Sequence, residues 1–161
     1  MESRDKPMTN KGKKELDYRR LIEISRDLAS TLDLETLLDR IVHVAAEITE
    51  AAAASILLYD DAARQLNFEV ATNLNMQTMR GLSVPLEGSV AGWVVTNRKT
   101  VRLKDAHGDV RFFPEVEEKT RFSTRSLLGV PLITKDKVVG VLEVINNPRG
   151  GFTAVDEDLL L

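Results

Sequence analysis

Apolar residues in the first third of the chain return every three or four positions. From Glu15 onward, Tyr18, Leu21, Ile22, Ser25, Leu28 and Ala29 make one such stripe, and Leu21, Ile24, Leu28 and Thr31 make a second, offset from it. A helix with two apolar faces is either deeply buried or packed on another subunit. Asp33 predicts the N-cap of a second helix carrying Leu37, Leu38, Ile41, Val42, Ala45 and Ile48. The period then changes to two. Residues 52–59 alternate with apolar groups on both faces, residues 60–64 break the pattern, and Leu66, Phe68 and Val70 alternate with Asn67, Glu69 and Ala71, which predicts a hairpin. Residues 82–86 read as extended because Pro85 holds Val84 out of the helical region. Ser89 predicts the cap of a short helix carrying Val90, Trp93 and Val94. Residues 100–103 read as a short strand, and Phe112, Phe113, Val116 and Thr120 share helical spacing with Pro114 in the first turn. Residues 125–133 and 137–146 form two strong strands joined by a tight turn at Thr134-Lys135-Asp136, and Thr153 caps a final helix over residues 154–161. Short turns between successive strands imply an antiparallel sheet with helices on its faces, an α+β domain.

Composition narrows the picture. The chain has 161 residues, 43% of them apolar, enough for one domain with a real core. Residues 1–14, with Lys6, Lys11, Lys13 and Lys14, show no apolar period and read as a flexible arm before a domain spanning residues 15–161. Nothing in that arm has the apolar segment of a secretory signal, and no apolar run approaches bilayer length, so the expectation is a cytoplasmic protein with no membrane partner. A formal charge of −3 gives no basic excess for nucleic acid, and the absence of cysteine removes thiol nucleophiles and thiolate metal sites.

No motif for catalysis is present. There is no Ser-His-acid spacing, no His-x-x-x-His pair and no phosphate loop with its lysine, so neither catalytic nor metal-ligating residues are assigned. His43 sits among Ile41, Val42 and Val44 as a packed helical residue, and His107 lies in the polar loop Asp105-Ala106-His107-Gly108-Asp109. Binding features are better represented. Gly88-Ser89-Val90-Ala91-Gly92 puts small residues where a helix begins, and outward-facing amides there suit an anion as well as an ordinary cap. Glu143 interrupts Val141-Leu142-Glu143-Val144-Ile145, a strand otherwise apolar on both faces. Its carboxylate needs a partner, either a ligand's donors or water at a sheet edge. Phe112, Phe113 and Phe122, with Thr120, Thr124 and Ser126, fit a pocket for a flat polar ligand and equally a core with polar edges.

The run from Asp105-Ala106-His107-Gly108-Asp109-Val110-Arg111-Phe112-Phe113-Pro114 to Thr124-Arg125-Ser126-Leu127-Leu128-Gly129-Val130-Pro131-Leu132 resembles GAF domains, particularly the cyclic-nucleotide-binding GAF domains of phosphodiesterases and adenylyl cyclases. Residues 87–94, residues 140–146 and the Phe-x-x-x-Asp-Glu pattern of Phe152, Asp156 and Glu157 extend the likeness to about residues 20–161. The resemblance implies a GAF-like antiparallel sheet with helices on both faces. It implies ligand contacts at Ser55 and Thr72, phosphate contacts at the backbone of Val90 and Ala91, a lid at Phe113, Glu117, Thr120 and Thr124, and a base contact at Glu143. Three departures stand out. Asn147 occupies the place of the lysine that would pair with Asp156, Ala71-Thr72 replaces an aromatic-acid pair, and Arg121 stands where glycine is usual.

The expectation is therefore a sensory GAF domain that binds a cyclic nucleotide, with no other cofactor, and controls an output domain downstream. Thr72 in place of a carboxylate favours cyclic AMP over cyclic GMP. The alternative is a dimerisation and signal-relay element with another ligand or none. The two-sided helix over residues 18–32 implies a homodimer, and Leu159-Leu160-Leu161 implies a final helix that continues in a longer protein.

Overall fold

The computed structural model describes residues 10–161, with side chains from residue 18 onward except those at 28, 31 and 32. Two compact units divide the chain, Met1–Leu37 and Leu38–Leu161. Helix α1 is Asn10–Ile48, a single element of 39 residues. It starts five positions ahead of Glu15, through lysines that favour helix. Residues 1–9 of the expected arm lie outside the described residues. The expected break at Asp33 is absent: no glycine or proline stands near it, and a capping side chain alone does not stop a helix whose neighbours continue the ladder.

In the first unit Tyr18, Leu21, Ile22, Ile24, Leu34 and Leu37 are exposed. In the second, Leu38, Val42 and Ala45 of α1 turn into the core, while Ile41, Val44 and Ile48 stay exposed.

The second unit is built on one six-stranded sheet in the order β3-β2-β1-β6-β5-β4. Its strands are β1 Ala53–Asp60, β2 Gln65–Ala71, β3 Ser83–Pro85, β4 Val101–Leu103, β5 Leu127–Thr134 and β6 Lys137–Ile145. All pairings are antiparallel. The β5–β6 turn places Lys135 and Asp136 at φ 47° and 65°, the doubly left-handed geometry of a two-residue hairpin. A bulge between Ile56 and Leu57 shifts the β1–β2 register, so Ile56 faces Val70 and Leu57 faces Phe68.

Each face of the sheet carries its own core. Ile56, Leu128, Val130, Leu142 and Val144 pack with Val42 of α1 and with Leu160 of α5 (Ala154–Leu160). On the other face Leu57, Phe68, Leu127 and Val141 pack with α2 (Met76–Met79) and α3 (Val90–Asn97). Helix α4 is Glu115–Thr120, shorter than the expected helix, with Pro114 at its N-cap and Phe112 and Phe113 in the loop before it. Helix α2 was not anticipated. One turn of four residues capped by Asn75 gives too little period to see in sequence.

Thr153 forms a full capping box with Asp156 at the start of α5. The cation missing at Asn147 is supplied two positions on. Arg149 Nη2 donates to both oxygens of the buried Asp156, at 3.1 and 3.3 Å, and Asn147 Oδ1 accepts from the Arg149 amide. Hydrogen bonds from Thr153 and the charge of Arg149 outweigh burial and hold the Asp156 carboxyl below its ordinary range.

Candidate functional site

The row that crosses the middle of the sheet on the α3 face runs from Ala71 through Ser55 and Glu143 to Gly129. Strand β6 lies inside the sheet, so Glu143 does not meet water at an edge. Instead its side chain lines a cavity of about 80 Å³. Ser55, Val90, Ala91, Phe113 and Thr124 line the same cavity, with Phe112, Val116, Leu74 and Met79. Six of the nine anticipated residues thus come together.

The other three are engaged elsewhere. Thr72 Oγ1 accepts a hydrogen bond from the Ala54 amide at 2.9 Å and fastens the end of β2 to β1. Thr120 Oγ1 donates to the Val116 carbonyl within α4. Glu117 faces His107, with Oε2 2.7 Å from Nε2. Leu74 and Met79 escaped the sequence reading with α2 itself; the i, i+3 pair Met76 and Met79 behind an Asn cap was the available signal.

Burial pushes the Glu143 carboxyl up to about 7, and burial alone does so. Among the described residues no group hydrogen-bonds or ion-pairs with it. What the side chain leaves accessible opens on the cavity, and no other residue lining that cavity is titratable. Ser55, paired with Glu143 across β1 and β6, also has no side-chain hydrogen bond, so the floor presents a hydroxyl beside a carboxyl.

The opposite wall is the start of α3. Ser89 Oγ accepts from the Gly92 amide at 2.9 Å and donates to the Pro85 carbonyl, as its place before the helix predicts. The amides of Val90 and Ala91 belong to the first turn and have no acceptor among the described residues. The small residues around them serve different ends. Gly88 adopts φ +86°, and a Cβ on Gly92 would stand 1.9 Å from the Leu86 carbonyl oxygen. Gly92 is therefore small for Leu86, not for a ligand.

The segment from residue 105 to 124 covers the cavity and is held by its own pairs. Arg111 Nε and Nη2 donate to the two oxygens of Asp109 at 2.8 and 2.7 Å, which holds the Asp109 carboxyl down at about 2. The same guanidinium lies 4.8 Å from the centre of the Trp93 ring on α3. The His107 ring packs on Phe112 with centroids 4.7 Å apart. Arg121 ends α4 at φ 56°, the left-handed conformation that glycine adopts most easily, so the arginine keeps the turn.

Comparison with known proteins gives a consistent picture. The family model of the GAF domain matches residues 33–161. A probable 3',5'-cyclic phosphodiesterase of Caenorhabditis elegans is 24% identical over 148 residues, 86% of this chain and 20% of that protein. The dual 3',5'-cyclic-AMP and -GMP phosphodiesterase 11A of Takifugu rubripes is 29% identical over 150 residues, 86% of this chain and 17% of that protein. The chain thus spans a fifth or less of these curated relatives. Among solved structures, the GAF domain of an Acinetobacter phosphoenolpyruvate-protein phosphotransferase superposes with a TM-score of 0.68 at 27% identity, covering 95% of this chain and 87% of that one. The corresponding domain from Coxiella burnetii gives 0.70 at 20% identity, covering 86% and 84%.

Proposed function

The chain belongs to the GAF family, and from that premise we propose that it is a sensory domain whose cavity takes a cyclic nucleotide and whose occupancy controls an output domain in a longer protein. One observation carries the reading: a lone unpartnered carboxyl and a hydroxyl form the floor of an apolar cavity whose opposite wall holds two free helix-start amides. The floor suits the edge of a heterocycle, and the amides suit a phosphate. The matched relatives are enzymes named for cyclic nucleotides, which agrees with that chemistry. Thr72, expected to favour cyclic AMP by bringing no carboxylate, accepts from the Ala54 amide and does not line the cavity, so the choice of base falls to the residues that do.

A second reading is a relay and dimerisation domain with another ligand or none. It is favoured by the small size of the cavity and by the commitment of Thr72, Glu117 and Thr120 to contacts within the chain. A nucleotide needs the covering segment to move outward. Isothermal titration with cyclic AMP and cyclic GMP separates the readings: saturable binding supports the first, and silence with both supports the second. As a companion test, Ala91→Val adds two methyl groups beside the first-turn amides of α3. It should weaken binding at least about tenfold by crowding the phosphate position, with little change in the melting temperature of the empty protein. Unchanged affinity would remove the amides of Val90 and Ala91 from the site.

The exposed apolar positions of α1 fit a second copy of the chain. In the first unit Tyr18, Leu21, Ile22 and Ile24 are apolar, exposed and at helical spacing. We propose a homodimer through this helix. Light scattering at tens of micromolar should give twice the mass of one chain, and Leu21→Asp with Leu28→Asp should halve it. A monomer unaffected by those charges would rule the dimer out.

A further inference from the structure

Glu143 is a single carboxyl without a partner on the floor of a mostly apolar cavity. Its two protonation states offer different hydrogen-bonding edges. A neutral carboxyl presents one donor beside one acceptor, whereas a carboxylate presents two acceptors. Purine bases differ in the same way: the pairing edge of adenine sets an acceptor next to an amino donor, and that of guanine sets two N–H donors side by side. We propose that Glu143 selects the base by its protonation state, the neutral carboxyl pairing with adenine and the carboxylate with guanine. This rests on the reading that the cavity takes a cyclic nucleotide, and it names what decides which one.

The surroundings leave the choice to Glu143. None of the cavity-lining residues on β1, β2, β3, β5, α2, α3 or α4 is titratable. In the covering segment His107 faces Glu117 and Asp109 faces Arg111, each pair satisfied within itself and none of the four lining the cavity. Ser55 and Thr124 line the cavity too, but a hydroxyl donates or accepts as required and does not discriminate. The wrong pairing is penalised because it sets acceptor against acceptor, or donor against donor, where water has been excluded. Since burial brings the carboxyl to about 7, both states are populated near neutrality and the selection responds to pH.

Titration of the intact chain with each nucleotide at about pH 6 and about pH 8 tests this. Cyclic AMP should weaken about tenfold across that interval and cyclic GMP should tighten about tenfold, shifting their ratio by on the order of a hundredfold. At pH 7, titrations in buffers of different ionisation heat should show uptake of roughly half a proton with cyclic AMP and release of roughly half with cyclic GMP. That measurement needs no variant. Glu143→Gln, which keeps one donor and one acceptor, should bind cyclic AMP with no pH response and lose preference for cyclic GMP. No titratable group of the covering segment lines the cavity, so ionisation there should shift both affinities the same way. Equal slopes, or a pH-independent ratio with both ligands bound, would overturn the selection and leave the nucleotide reading standing. If neither nucleotide binds, that reading fails and the selection fails with it.

Discussion

Gly92→Ala should destabilise the domain by about 3–5 kcal/mol and lower its melting temperature by about 10 °C, although it adds one methyl group. The methyl would sit 1.9 Å from the Leu86 carbonyl oxygen and 2.5 Å from its carbon. Both atoms are backbone, so no side-chain rotation relieves the clash. Leu86 is itself held, because its amide donates to the Arg64 carbonyl at 3.1 Å. Relief therefore means displacing either the turn after β3 or the first turn of α3, where the free amides lie. Gly88→Ala is the contrast: nothing stands within 4 Å of its Cβ, and only the φ of +86° is strained, which costs about 1 kcal/mol. Thermal melts of the two variants check the ranking. If Gly92→Ala melts no lower than Gly88→Ala, the close approach of Leu86 does not exist in solution.

That contrast also shows which features could be read in advance. Local signals with one physical meaning carried through. Ser89 caps α3, Thr153 caps α5, and Thr134-Lys135-Asp136 closes a hairpin, because each depends on a few adjacent residues. The sheet and the helices on its two faces followed from alternating periods and short turns. Asp33 looks like a cap, but with no glycine or proline beside it the helical ladder of α1 runs through. Features that depend on distant parts of the chain did not carry through. Arg149 replaces the absent lysine from a different position, which only the path of the β6–α5 loop brings to Asp156. In the candidate site, Ser55, Val90, Ala91, Phe113, Thr124 and Glu143 were anticipated and line one cavity. Thr72, Glu117 and Thr120 have the right chemistry, yet their hydrogen bonds go to Ala54, His107 and Val116. A residue type at the expected position does not reveal which neighbour will claim it.

Glu143→Gln should make the empty domain more stable than the parent above neutral pH, by up to about 3 kcal/mol, and should bring little gain near pH 4. The folded protein holds this carboxyl up to about 7 from an ordinary value of 4.5. Between those values the native state binds a proton that the unfolded chain has released. Stability of the parent therefore falls as pH rises through that window, and above it the fold carries a buried carboxylate with no partner. Glutamine has no such slope. Denaturant melts of both proteins at several pH values give the difference directly, and parallel curves would mean that the carboxyl meets water and not the cavity. A cost of this size in the centre of a sheet, beside Ser55 and opposite Gly129, is what a core built for packing would have removed by substituting leucine or valine. It is offset only when something enters the cavity and pairs with the acid. The same titration that weakens the empty fold leaves binding energy available to a ligand, which is why the stabilised glutamine variant should also be the one that no longer senses pH.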